Sequence, residues 1–258
     1  MQMHGGKHRA WNKAVKIAKY EWFMCVDSDD YLTDDAVSKV LTWIAAVRED
    51  NSIGVISGSR FDTIRKTALS VPAILKENPG LKCLNYERAD IGLQKDRAEI
   101  VRTELLRVHP FPEYQGENFC TEGVVWNAIA LDKKSYGGRY TVFYPDVIYM
   151  GTFLPDGLTK QGANSIQGFQ ANFNGFLDFV RIELECCGVC AKIYPHLVIM
   201  LEIAKRKRIP VSELCDRTGL QIAQIKKIKR NRLHFLCFWV CGKLKYFFEN
   251  KLNCLESA

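Results

Sequence analysis

Asp27-Ser28-Asp29 sets two carboxylates around a small residue, directly after the apolar run Trp22-Phe23-Met24-Cys25-Val26. A short run with no polar alternation predicts a strand buried on both faces. Ligands of open α/β sheets bind where such strands end. Alternate carboxylates in a turn there can share a hard divalent cation, which also takes phosphate oxygens. If the ligand is a sugar nucleotide, that cation neutralises the charge developing on the departing diphosphate. The same residues, Asp27 to Asp30, equally suit a solvated turn that caps the next helix. Spacing alone leaves both readings open.

The elements that must position this pair are legible around it. Ala10, Ala14, Ile17 and Ala18 recur at helical spacing and predict a helix from His8 to Tyr20. A second helix follows the acidic turn, with Thr33 as N-cap, Asp34 and Asp35 in its first turn, and Val37, Val40, Leu41 and Ile44 on one face. Ile53-Gly54-Val55-Ile56, Ala98-Glu99-Ile100-Val101, Val142-Phe143-Tyr144 and Val147-Ile148-Tyr149 read as strands. Glu122 to Ala130 and Phe169 to Leu184 read as helices. The alternation of helix and strand predicts an α/β domain with a largely parallel sheet.

Composition bounds what else the chain can be. At 258 residues, 47% hydrophobic and 25% charged, it can build a sizeable core without metal or disulfide staples. Its ten cysteines are scattered, and no apolar stretch follows the charges of the first residues. That favours free thiols and a cytoplasmic setting. Cys186-Cys187-Gly188-Val189-Cys190 contains a Cys-x-x-Cys, but no second knuckle at zinc spacing accompanies it. No run of eighteen apolar residues predicts a membrane span.

The formal charge of +7 is concentrated at one end. From Met200 onward thirteen Lys or Arg face only five acids. We therefore divide the chain into a domain over residues 1–187 and a basic, amphipathic, helical tail over 188–258. Within the tail, Val211 to Leu220 followed by Ile222 and Ile225 has a helix–turn–helix pattern, with Gly219 at the turn and Lys226, Lys227, Lys229 and Arg230 beyond it. The later run Leu233 to Cys241 is apolar, flanked by basic residues and too short to span, which suits an interfacial segment. A membrane surface is the favoured partner of the tail, ahead of core packing, with nucleic acid last.

The order of motifs carries a resemblance. Gly5-Gly6-Lys7-His8-Arg9-Ala10-Trp11-Asn12-Lys13-Ala14, then the helix, then Phe23 to Leu32 with its DxD, is similar to the family 2 glycosyltransferases of bacteria. Phe111-Pro112-Glu113, Gly116-Glu117-Asn118-Phe119, Glu122 to Asn127 and Leu154-Pro155-Asp156-Gly157-Leu158-Thr159 follow in the same order, so the resemblance covers roughly Gly5 to Lys160.

The resemblance implies a GT-A-like α/β fold and transfer of a sugar, with inversion, from a nucleotide diphosphate. UDP is the expected nucleotide and Mn²⁺ or Mg²⁺ the expected cation. The acceptor would be a glycan or a lipid-linked hydroxyl in cell-surface polysaccharide synthesis, which would place the chain in the cytoplasm, peripheral at the inner face of the cell membrane. Asp29 would take the cation and Asp27 the ribose or the cation, while Gly6 and Lys7 would line the nucleotide. A helix start there also favours the diphosphate, although Lys7, His8 and Arg9 can equally be a solvated helix start.

Glu122 stands where the family places an acidic pair that includes the general base, with Glu117 a weaker candidate. The second position of that pair is Gly123 here. Glu122 would deprotonate the acceptor, or else simply begin its helix. Trp126 would be an acceptor platform or a core residue, and Asp156 would close over the site or serve its turn. Resembling enzymes begin with strands that hold the base and ribose, and this sequence starts just after them. A truncated, non-catalytic member is therefore the competing expectation.

Overall fold

The computed structural model describes residues 5–69, 71–93, 95–132, 138–152 and 165–231. The chain divides into two compact units, Met1–Gly188 and Val189–Ala258.

The first unit is built on a seven-stranded sheet. β1 (Trp22–Met24), β6 (Arg97–Arg102), β3 (Ile53–Asp62), β7 (Tyr140–Gly151) and β2 (Tyr31–Leu32) lie in that order, with β4 (Thr67–Leu69) on β3 and β5 (Leu81–Cys83) on β7. Among the described residues only the β3–β7 pairing is parallel; β1–β6, β3–β6, β2–β7, β3–β4 and β5–β7 are antiparallel. The α/β class stands, but the sheet is mixed where a largely parallel one was expected. The reason is β6, which runs against both its neighbours, and the short β2, β4 and β5, whose apolar content is too slight to read as strands.

Side chains alternate across a strand, so neighbouring residues of one strand feed opposite layers. Val55 and Val101 join Trp11, Phe111, Val124, Val125, Trp126, Ile129 and Ile182 in one core. Ile56 and Ile100 join Ala36, Trp43, Val47 and Ile148 in the other. Helices α1 (Lys7–Ile17), α4 (Thr103–Val108), α5 (Gly123–Ala130) and α7 (Phe173–Cys187) supply the first layer, and α2 (Ala36–Val47) the second, while the short α3 (Ala73–Glu77) buries Leu75 with Leu93 and Phe143.

Several local expectations shift. α1 buries His8, Trp11, Asn12 and Val15 rather than the alanine face, and Ile17 is 80% exposed. The bulk of Trp11 decides this: its ring packs against Phe23, Phe111 and Trp126 at 5.6–5.8 Å. β1 is half-buried, not buried on both faces, because among the described residues it pairs only with β6. α2 turns Trp43 and Val47 inward and leaves Val37 and Leu41 exposed. The expected helix from Phe169 breaks at Asn172 into α6 (Ile166–Ala171) and α7. The segments around Val142 and Val147 are one strand, β7, with register shifts against β3.

In the second unit, α8 (Tyr194–Arg206) and α9 (Val211–Thr218) are followed by a helical stretch over residues 222–231. Gly219 adopts φ 75°, the left-handed conformation that ends α9 without a side-chain clash. Leu214, Thr218, Leu220, Ile225 and Ile228 are buried around that turn, and Tyr194 donates to the Ile228 carbonyl at 3.1 Å. The run Leu233–Cys241 and the Leu154–Thr159 motif lie outside the described residues.

Candidate active site around Lys7, Asp27 and Glu122

Three segments far apart in sequence meet at one ammonium. Lys7 Nζ lies 2.8 Å from Asp27 Oδ1 and 3.0 Å from Glu122 Oε1. All three side chains are between 28% and 40% exposed, so the cluster is open to a ligand. Burial opposes the charge on Lys7, but Glu122 and Asp27 outweigh it and hold the ammonium well above the ordinary lysine range.

Each member is held from behind. Lys7 opens α1, whose orientation is fixed by Asn12: its amide donates to the Phe111 carbonyl at 2.9 Å, and its carbonyl accepts from Phe111 N–H at 3.0 Å. Arg9 adds an ion pair to Glu113 at 3.0 Å. His8 is buried and so is no part of a solvated helix start, whereas Arg9 stays partly exposed in its ion pair. Gly6 precedes α1 at φ 91°, and a Cβ there would stand 2.0 Å from the Asn118 carbonyl oxygen. The residue must be glycine for the turn to lie against that loop.

Asp27 follows β1. Its backbone N–H donates to the Tyr149 hydroxyl at 2.9 Å, and its carbonyl accepts from Asp30 N–H at 3.1 Å. Asp30 is the buried member of the acidic turn. Its carboxylate pairs with Arg60 at 2.7 Å and accepts from Thr152 N–H at 2.9 Å. Arg60 in turn stacks 4.1 Å over the Tyr149 ring. Asp29 is exposed and has no hydrogen-bond or ion-pair partner among the described residues.

Glu122 stands at the N-terminus of α5 and makes no side-chain cap there. Gly123 follows because a Cβ would meet the Phe179 ring at 2.7 Å. Aromatic packing from α7 thus fills the space a second acid would need. Glu117 is not a base candidate in this arrangement. It is buried and accepts from Asn174 N–H at 2.7 Å, Asn174 Nδ2 at 2.8 Å and Gly175 N–H at 2.9 Å, anchoring the start of α7. Trp126 is 5% exposed within the aromatic core, so it is no acceptor platform.

Sequence reasoning missed Tyr149, Arg60 and the locking role of Asp30. No local signal marks them, because β7 and β3 reach the acidic turn only through sheet pairing. It also missed Glu99, a β6 carboxyl pushed up to about 7 by burial, with Arg88 pulling the other way and Glu122 adding to the rise. Arg88 lies 3.7 Å from it. None of the seven described cysteines is in a disulfide, and burial pushes the Cys186 thiol up to about 12. No cluster of three or more metal-ligating side chains occurs among the described residues.

The profile described as Glycosyl transferase family 2 matches residues 2–102. Among solved structures, residues 1–349 of S. aureus TarS resemble the chain at 16% identity and TM-score 0.44, covering 90% of this chain and 72% of that one. A longer TarS structure is similar at 15% identity and TM-score 0.44, covering 88% of this chain and 43% of that one. A mycobacterial protein follows at 16% identity and TM-score 0.40, with 68% and 53% covered. No curated protein matches the chain.

Proposed function

We propose, from the match of residues 2–102 to the Glycosyl transferase family 2 profile, that the chain moves a sugar, with inversion, from a nucleotide diphosphate to a glycan or lipid-linked hydroxyl. UDP is the nucleotide this reading favours, and cell-surface polysaccharide synthesis the setting. The observation that carries it is the convergence of Lys7, Asp27 and Glu122 on one point.

Glu122 Oε1 would accept the proton of the acceptor hydroxyl. The hydroxyl oxygen then attacks the anomeric carbon while the bond to the diphosphate breaks on the opposite side. The ammonium of Lys7 and the N-terminus of α1 would stabilise the charge on the leaving diphosphate. Asp27 and Asp29 are hard oxygen donors on one short turn. They fit Mn²⁺ or Mg²⁺ as a two-carboxylate site completed by phosphate oxygens and water. Such an ion would supply further neutralisation of the leaving group.

Thermal unfolding with UDP, with and without Mn²⁺, tests the assignment. A ligand at about a hundred times its Kd adds roughly 2.7 kcal/mol to the folded state. A manganese-dependent rise in midpoint that Asp29→Asn abolishes supports the donor site. A transition indifferent to UDP and metal in the unsubstituted chain removes it.

A second reading rests on Gly123. With Phe179 where the family's second acid would stand, the domain would bind nucleotide without transferring sugar. UDP binding without turnover would favour it. For the second unit, exposed Lys226, Lys227, Lys229 and Arg230 suit an anionic surface. We assign that surface to the inner face of the cell membrane, in the cytoplasm. No helix among the described residues is long and apolar enough to cross it. Duplex-DNA binding that weakens steeply with salt would instead favour the helix–turn–helix reading.

A further inference from the structure

We infer that Lys7 is a built-in competitor for the divalent cation, holding Asp27 until the phosphates of the nucleotide draw the ammonium away, so that nucleotide must bind before metal. This rests on the donor-site reading above and concerns the order of events within it.

Lys7 is the movable partner and Asp27 the fixed one. Asp27 is tied through its backbone to Tyr149 and Asp30, at 2.9 and 3.1 Å. The turn is tied again through the 2.7 Å ion pair between Asp30 and Arg60. Lys7 reaches the carboxylates on a flexible four-carbon stem that passes Trp11, its ammonium 5.8 Å from the ring centroid. It can re-aim without moving α1.

The charges also set the order. Without ligand, Lys7 neutralises one of two facing carboxylates, and its 2.8 Å contact takes one oxygen of Asp27. A divalent ion on that carboxylate would meet the ammonium at close range in a partly desolvated place, where like charges repel strongly. α1 has no acid in its first turn to soften this field. A diphosphate reverses the balance, because it offers Lys7 and the helix N-terminus several anionic oxygens at once. The ammonium leaves Asp27, and the freed carboxylate of Asp27 together with exposed Asp29 can then take the ion.

The test uses the full chain without acceptor. Free Mn²⁺ is followed by electron paramagnetic resonance, and UDP binding by calorimetry in the absence of metal. Lys7→Met and Lys7→Gln are compared with the unsubstituted chain, with circular dichroism as the control for folding. Removing the ammonium should tighten Mn²⁺ binding without nucleotide on the order of fivefold to tenfold, and weaken metal-free UDP binding by a similar factor. In the unsubstituted chain, saturating UDP should tighten Mn²⁺ by at least about tenfold, a readout that needs no variant.

Mn²⁺ affinity unchanged or lowered in both folded variants overturns the competitor role. So does an absence of coupling between UDP and Mn²⁺ in the unsubstituted chain. If that chain binds UDP with Mn²⁺ while the lysine variants gain nothing, only the ordering falls. If it binds neither UDP nor Mn²⁺, the donor-site reading falls with it.

Discussion

The acidic turn Asp27–Asp30 and the segment Gly116–Glu122 are built alike and held differently. Each carries one carboxylate facing Lys7, Asp27 in the first and Glu122 in the second. Each also carries a buried carboxylate that serves as an anchor. Asp30 is anchored to a charged group, Arg60, to the Thr152 N–H just past β7 and to the Tyr149 hydroxyl. Glu117 is anchored wholly by neutral donors, two backbone N–H groups and an amide at the start of α7. An acid's position in a motif therefore does not tell whether it reacts or holds. Its partners do: donors on every side fix a carboxylate in place, whereas one mobile ammonium leaves it usable.

The sharpest way to break the comparison is to remove the reactive member of the second region. Glu122→Gln keeps shape and loses the base. It is expected to lower the rate of sugar transfer about 10²- to 10⁴-fold while shifting stability by no more than about 0.5 kcal/mol, since its ion pair with Lys7 is half-exposed. Glycosyl transfer to acceptor and urea unfolding, measured on the same preparation, check both halves. An active Glu122→Gln variant would place the base elsewhere.

The anchors should behave in the opposite way, and unequally. Asp30→Asn leaves the mostly enclosed Arg60 without its charge partner and is expected to cost about 3 kcal/mol. Glu117→Gln can still accept from one side and cannot from the other, for about 2 kcal/mol. Urea midpoints with unchanged slopes would report both. Equal losses would mean that the charge on Arg60 adds nothing to the hold on the acidic turn.

Much of this site was legible in the sequence, and what was missed shares one physical cause. Lys7, Asp27 and Glu122 were named because motif order pointed at them, and they do meet. The helices that begin at Lys7 and Gly123 were legible from apolar periodicity near those residues. Strand sense was not, because nothing in the composition of Arg97–Arg102 records that it runs against β3 and β1. The inward face of α1 was misjudged because three small residues outvoted one large one, although burial of Trp11 outweighs theirs. Tyr149 and Arg60 act on a turn 122 and 30 residues away, respectively, and such pairing has no local pattern.

Glu99 extends the comparison to β6, where it feels the charge of Glu122. Its folded carboxyl is raised to about 7 from an ordinary 4.5. The folded state therefore keeps a proton that the unfolded state releases between those values. Stability is expected to fall as pH rises from about 4.5 to 7, by up to about 3 kcal/mol, and to level off above. Glu99→Gln should flatten that slope and leave the acid side unchanged. Urea unfolding at pH 4.5, 6 and 8 decides it, and a parallel slope in the variant would assign the pH dependence to another group.

The smallest expected effect separates the two ties on the acidic turn. Tyr149→Phe removes only the hydroxyl, which accepts from Asp27 N–H and bonds the Asp30 carboxylate, and keeps the ring under Arg60. Losing that hydroxyl should cost about 1 kcal/mol, because the half-buried N–H can recover part of it from water. The informative quantity is the coupling with Asp30→Asn. Arg60 touches both the Asp30 carboxylate and the Tyr149 ring. If the three form one clasp, the double variant should depart from additivity by about 0.5 kcal/mol or more. Strict additivity would mean that the sheet holds Asp27 through two independent ties.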